Sequence, residues 1–313
     1  MRSDRSGFTM VELAVVMSTA ALLLSVLIPC ASRARELSKK MVCARNLKNI
    51  GVACRAYASD EDPRWPIPGF KSSVIDGLGI TYTNGDNGLV GYPTERTHES
   101  TRQSASGSGG STRVSVTRAL WMLVRSGDLN VTQFVCPTSW DEPDPTEVID
   151  TYYDFLSYQN ISYGYQVPFG PLTTQPRSGV DNHMVYAADK GPYYLQIHGF
   201  PDWEVGLNGL ITLNDPPKLW RPFNSPNHGG RDNGEGQNCL FADGRVDWKE
   251  IPAVGMDNNN IYTLMANDWA SDFGRIHGWT PFDAPTSGDP YPGQDAFCTG
   301  GGCHSSTDSL LYP

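Results

Sequence analysis

Apolar residues dominate an unbroken run of 21 positions from Phe8 to Ile28, and the only charge inside it is Glu12. About 20 such residues make a helix long enough to cross the hydrocarbon of a bilayer, so 8–28 is predicted to be a transmembrane helix. The helix is expected to continue as a stem over 29–58. There Leu37, Met41, Ala44, Leu47, Gly51, Cys54 and Ala58 recur at steps of four and three, one weakly apolar stripe on an otherwise basic rod. A rod from Phe8 to Ala58 would be about 75 Å long. Asp60-Glu61-Asp62-Pro63 ends it, because the residue before a proline is biased out of the helical region.

Beyond the rod the pattern becomes that of a β-rich head, residues 59–313, long enough to bury a substantial core. Its first part, to about Arg113, is rich in loop signals, and the Ser- and Gly-dominated stretch from Ser104 to Ser111 predicts a flexible insertion within 85–113. Val116–Arg125 reads as a short buried helix stopped by Gly127. Met184–Ala188, Tyr193–Ile197 and Gly209–Leu213 are strand candidates, rich in β-branched and aromatic residues between turn signals. Asn238–Trp248 predicts a hairpin with Asp243-Gly244 at its turn, where both central positions would take positive φ. Asp243 therefore has a structural role before any chemistry is invoked.

A carboxylate in a helix entering lipid costs about 2.5–3.5 kcal/mol on insertion scales, so Glu12 asks for a reason. A conventional secretory signal would start with basic residues, as Arg2 and Arg5 do, but the apolar run is too long for one and Glu12 interrupts it. A lipoprotein signal would use Leu27-Ile28-Pro29-Cys30, where proline directly before the cysteine fits poorly. A plain anchor fits the length and leaves Glu12 unexplained. The string Gly7-Phe8-Thr9-Met10-Val11-Glu12-Leu13 closely resembles the processing site of type IV prepilins and type II secretion pseudopilins. That resemblance implies cleavage of a leader, residues 1–7, between Gly7 and Phe8 by a prepilin peptidase, and N-methylation of Phe8. It implies that Glu12 pairs with the amino terminus of a neighbouring subunit during assembly, and that Pro29 marks a helix kink. The expected location is the bacterial inner membrane, single-pass, with the head in the periplasm or on the cell surface. Charge counting opposes this orientation: Arg33, Arg35, Lys39 and Lys40 follow the span whereas Arg2 and Arg5 precede it, which would place the head inside.

Composition sharpens the picture at two points. The chain carries a formal net charge of −10, divided into a basic segment over 8–58 (net +5) and an acidic one over 59–313 (net −16). An acidic head argues against nucleic-acid binding, which needs clustered Lys and Arg. It suits packing of one subunit's stem on another's head, or is simply a solvated acidic surface. The seven cysteines would face an oxidising compartment. Cys30 lies at the membrane end. Cys43 and Cys54 share a helix face about 16 Å apart and cannot bond to each other. Cys298 and Cys303 can close a small Gly-rich loop as a disulfide or remain free; with His304 they are too widely spaced for a c-type haem site.

A second resemblance covers most of the chain. Asn224-Ser225-Pro226-Asn227-His228-Gly229, Gly234 to Asn238 and the hairpin with Asp243 and Gly244 are similar to bacterial prepilin-like proteins whose C-terminal domain is named for a His–nine residues–Asp-Gly pattern. Cys43 to Gly51, Leu120 to Gly127, Phe134-Val135-Cys136-Pro137, Ser162 to Tyr165 and the tail Thr307 to Pro313 match further segments. The spacing departs: fourteen residues, not nine, separate His228 from Asp243, which suits a His that braces a loop better than a fixed catalytic pair. The resemblance implies an α+β, pilin-like fold, a long N-terminal helix on a β-rich head, and other pilin or pseudopilin subunits as partners.

No phosphate-binding loop, dinucleotide fingerprint, nucleophile elbow or His-Glu-x-x-His motif is present, so no enzymatic activity and no cofactor are expected. Calcium is a weaker candidate, with oxygens from Asp232, Asn233, Glu235 and Asp243, or from Asp257 to Asn260, at no EF-hand spacing. Asp181-Asn182-His183 reads as a hydrogen-bonded loop. The eight Trp and fourteen Tyr are expected mostly in the core. An aromatic glycan- or solute-binding surface on a membrane-tethered head is the alternative function.

Overall fold

The computed structural model describes residues 9–60, 64–68, 71–75, 79–83, 116–166, 168, 175–192, 215–230, 233–258, 260–262, 309 and 311–312. The Gly7–Phe8 junction, the insertion at 85–113, the strand candidates at 193–197 and 209–213, and Cys298 and Cys303 lie outside the described residues. The chain divides into two compact units, Met1–Met41 and Val42–Pro313.

One helix, α1 (Met10–Asp60), starts in the first unit and ends in the second. In the first unit it opens on a capping box. Thr9 Oγ1 accepts from the Glu12 N–H at 3.2 Å, and a Glu12 carboxylate oxygen accepts from the Thr9 N–H at 2.9 Å and its hydroxyl at 2.8 Å. Two orphan amides of the first turn are thereby satisfied. α1 runs through Pro29, which has no N–H to offer the carbonyl of Ser25. The helix holds an 18-residue window of mean hydropathy 2.3 and is long and apolar enough to cross a membrane. Leu13, Val16, Leu23, Leu24, Leu27 and Ile28 are all exposed.

In the second unit the stem half of α1 forms one wall of the core. Cys43, Leu47, Ile50, Cys54 and Ala58 are buried, whereas Leu37 and Met41 are 62% and 73% exposed. The expected stripe thus holds from Leu47 onward and gives way to Cys43 and Ile50 before and between its members. Weak spacing does not fix the rotation of a helix; the surface it meets does. Gly51 shows how close that surface is, since a Cβ there would lie 2.8 Å from Leu240 Cδ1.

Leu240 belongs to a five-stranded antiparallel sheet. Its strands are β3 (Tyr163–Gln166), β4 (Val185–Asp189), β5 (Gln237–Phe241), β6 (Val246–Lys249) and β7 (Leu311–Tyr312), ordered β6-β5-β4-β3-β7. A separate antiparallel pair joins β1 (Lys71–Ile75) to β2 (Gly79–Thr83). The expected strand at 184–188 is β4, shifted by one residue.

Both faces of the larger sheet are covered, and side-chain alternation sorts the strands between them. Leu240 faces the stem cluster while Cys239 and Phe241 face a second cluster with Trp220, Phe223, Ile261 and Tyr262. In β4 the register slips between Val185 and Ala187, so Tyr186 and Ala187 both join the stem cluster before Ala188 returns to the other face. Trp65, Trp121 and Trp220 are buried, with Trp121 edge-on to Phe155 at 4.9 Å between centroids. Trp140 is exposed.

The helix expected over 116–125 is α2 (Arg118–Arg125). It ends where the Gly127 and Asp128 N–H groups donate back to the Val124 and Leu123 carbonyls. The expected hairpin also forms, with a different turn. Gly244 N–H donates to the Phe241 carbonyl at 2.7 Å, so Ala242 and Asp243 are the central residues and only Gly244, at φ +81°, is left-handed. The expectation of positive φ at Asp243 is corrected. An extra residue before Val246 lets the commoner right-handed turn form, and the following glycine restores the strand twist.

Candidate functional site

At the N-terminus, Gly7 and Phe8 lie outside the described residues. Glu12 is described, and its carboxylate is held by Thr9 within the same chain. The Thr-x-x-Glu spacing was readable as a capping box, so Glu12 has a local function besides any contact with a second subunit.

In the head, the motif residues His228, Asp243 and Gly244 go to different work. Asp243 binds the Arg245 backbone at 2.9 Å and guanidinium at 2.8 Å and holds the hairpin tip. That tip docks on the stem: Lys48 Nζ donates to the Gly244 carbonyl at 2.6 Å, and Arg55 donates to the Ala242 carbonyl at 3.0 Å. The Arg55 guanidinium would lie 2.6 Å from a Cβ on Gly244, so the hairpin needs glycine there for space as well as for φ. His228 instead reaches Asp189, its Nε2 standing 3.3 Å from Oδ2.

That pair belongs to a buried cluster that no sequence spacing announced. Cys43 on the stem, Cys136 after the turn at Val131–Phe134, Asp189 at the end of β4 and His228 in the loop before β5 place their ligand-capable atoms within 4.8 Å of one another. All four are buried. Cys136 Sγ lies 3.8 Å from His228 Nε2, and His228 Nδ1 meets Thr138 Oγ1 at 3.0 Å. Asn238 donates to Asp189 Oδ2 from its backbone at 2.7 Å and its amide at 3.0 Å, while Asn227 donates to Oδ1 at 3.3 Å. Tyr163 hydrogen-bonds Cys43, and Asn46 donates to the Tyr163 hydroxyl at 3.1 Å. The ring of Trp248 stands edge-on to His228.

The electrostatics of this cluster are coupled. A hydrogen bond between the two thiols pushes Cys43 far up and holds Cys136 down at about 6, with burial opposing the latter and His228 assisting it. Burial alone would lower His228, but the hydrogen bonds to Asp189 and Cys136 overcome it and raise the imidazole to about 9. The two shifts run in opposite directions, the Cys136 thiol down and the His228 imidazole up.

A Cys-His-Asp set invites comparison with a nucleophilic triad, and the geometry rejects it. In a triad the acid orients one ring nitrogen while the nucleophile uses the other. Here Cys136 and Asp189 both approach Nε2, and Nδ1 is taken by Thr138. All four side chains are buried among the described residues.

Next to the cluster the polar network continues. Lys190 Nζ binds Asp141 at 2.7 Å and the Ile161 carbonyl at 2.8 Å, and Ser162 donates to Asp141 at 2.7 Å. Cys43, Cys136 and Asp189 are far apart in sequence, so no spacing links them, although the first two lie inside the segments that carry the family likeness.

The oxygens considered for calcium are described in part, and several of those described have protein partners. Asn233 accepts from Arg221 at 2.8 Å, Asp243 is bound to Arg245, and Asn260 caps Tyr262 N–H at 3.0 Å; Asp232 lies outside the described residues. Asp181 accepts from His183 at 2.8 Å in an exposed loop. Comparison with protein-family models, curated proteins and solved structures finds no match for this chain.

Proposed function

We propose that this chain is a prepilin-like subunit, cleaved between Gly7 and Phe8, N-methylated on Phe8, and assembled through α1 into a type IV pilus or type II secretion pseudopilus. The observation that carries the reading is Glu12 as the fifth residue after a Gly-Phe junction at the head of an apolar helix. A membrane anchor needs the apolar helix and could use the acid only as a cap for its first turn. The capping box with Thr9 lowers the cost of carrying Glu12 in a lone subunit. Assembly then exchanges that local contact for the amine of a neighbour.

The head is a recognition and packing body in this reading. The acidic balance of 59–313 and the basic balance of 8–58 favour contact between one subunit's head and another's stem. Mass spectrometry of the native N-terminal peptide tests the proposal. A peptide beginning at N-methylated Phe8 is expected. Retention of Met1–Gly7 would overturn it and leave a tethered head as the surviving interpretation.

A further inference from the structure

Four buried side chains from four separate stretches of the second unit converge on one point. We propose that Cys43, Cys136, Asp189 and His228 form a closed metal site for one zinc-class divalent ion, bound by two thiolates, one carboxylate oxygen and the imidazole Nε2. The inference is independent of how the N-terminus is processed.

Two of the six separations among the ligand atoms match the edges of a tetrahedral site. Bonds of about 2.3 Å to sulfur and about 2.0–2.2 Å to nitrogen or oxygen give a tetrahedron with edges from about 3.3 to about 3.8 Å. The His228 Nε2–Asp189 Oδ2 separation is 3.3 Å and the Cys136 Sγ–His228 Nε2 separation is 3.8 Å, and every remaining pair lies within 4.8 Å. For a buried charged hydrogen bond 3.3 Å is long, since such bonds run at about 2.7–2.9 Å.

The surrounding groups are those that a metal site requires. A ligating histidine needs a partner on its other nitrogen to fix the ring, and Thr138 occupies Nδ1. A ligating carboxylate needs donors to hold its plane, and Asn238 and Asn227 supply them. Two thiolates and a carboxylate carry three negative charges, of which a divalent cation offsets two. Binding of the ion displaces every proton that the two sulfurs and His228 Nε2 carry in its absence. Soft sulfur ligands select zinc over calcium or magnesium. The ion would pin the stem helix to the sheet, the segment after 131–134 and the loop before β5 at a single point.

The competing chemistry is a disulfide between Cys43 and Cys136, which would remove both sulfur ligands. The test uses the full-length protein in detergent. One portion has its thiols alkylated at lysis and is analysed for disulfides and for zinc. A second is reduced, stripped with chelator and titrated with Co2+. The expected results are unlinked Cys43 and Cys136, about one zinc per chain, and about one Co2+ bound with thiolate charge-transfer absorption and the intense visible bands of a tetrahedral ion. Thr138→Val, which keeps all four ligands, should weaken Co2+ binding by about tenfold or more. Cys239→Ser, in the opposite cluster, should bind as the wild type does. A Cys43–Cys136 disulfide in the lysis-trapped protein, or failure of the reduced wild type to take up Co2+, would overturn the proposal without touching the assignment of the N-terminus.

Discussion

Glu12 caps α1 in the structure and pairs with a neighbour in the proposed assembly, and substitution separates the two. Thr9→Ala removes the local cap and should cost about 1 kcal/mol at the helix start while leaving assembly intact. Glu12→Ala loses the cap as well, and should insert in the membrane yet fail to enter filaments. Equal assembly defects in the two variants would reduce Glu12 to a capping residue. Asp243 offers a pH signature. Burial pushes its pKa up, but the backbone and guanidinium of Arg245, with the charge of Arg55, together outweigh that and hold it below the ordinary carboxylate value. A folded value below the unfolded one gives stability that is present above the ordinary pKa and lost as pH falls through the folded one. Asp243→Asn should therefore show a smaller loss of thermal midpoint than wild type below about pH 4.

Among the elements, the contact between stem and sheet decides the head's architecture. Gly51→Val would push a branched side chain into Leu240 and should destabilise the head by about 1–3 kcal/mol in denaturant titration. Glycine at this site runs against helix propensity, which is why the sequence marks it and why only the packed partner explains it. Asp141→Ala should cost about 3–5 kcal/mol by leaving the Lys190 ammonium without its carboxylate in a dry interior. A change below about 1 kcal/mol would mean that the other contacts of Lys190, the Ile161 carbonyl among them, suffice. The hairpin at 237–249 was legible from Asp243-Gly244, whereas its turn type was not: the loop length emerges only once β5 and β6 choose their register. The same holds for β4, where a one-residue slip sends Tyr186 and Ala187 to the same face.

The molecule as a whole divides into two compact units. The first presents exposed apolar surface along a helix long and apolar enough to span a membrane. A photo-crosslinker at Leu24 should yield oligomer ladders in cells if that surface packs against other subunits; monomers throughout would favour the tethered alternative. The second unit buries most of its described Trp and Tyr side chains, consistent with their expected place in the core.

The apolar helix, its single acid, the α2 segment and the hairpin could be read along the chain because each depends on residues a few positions apart, where spacing maps directly onto geometry. The rotation of the stem and the meeting of Cys43, Cys136, Asp189 and His228 could not. Each of those four comes from a different stretch, and nothing local tells a cysteine on a helix that a histidine 185 residues later will face it. Long-range proximity is set by how helix, sheet and loops pack, and packing is where the chemistry of this head was decided.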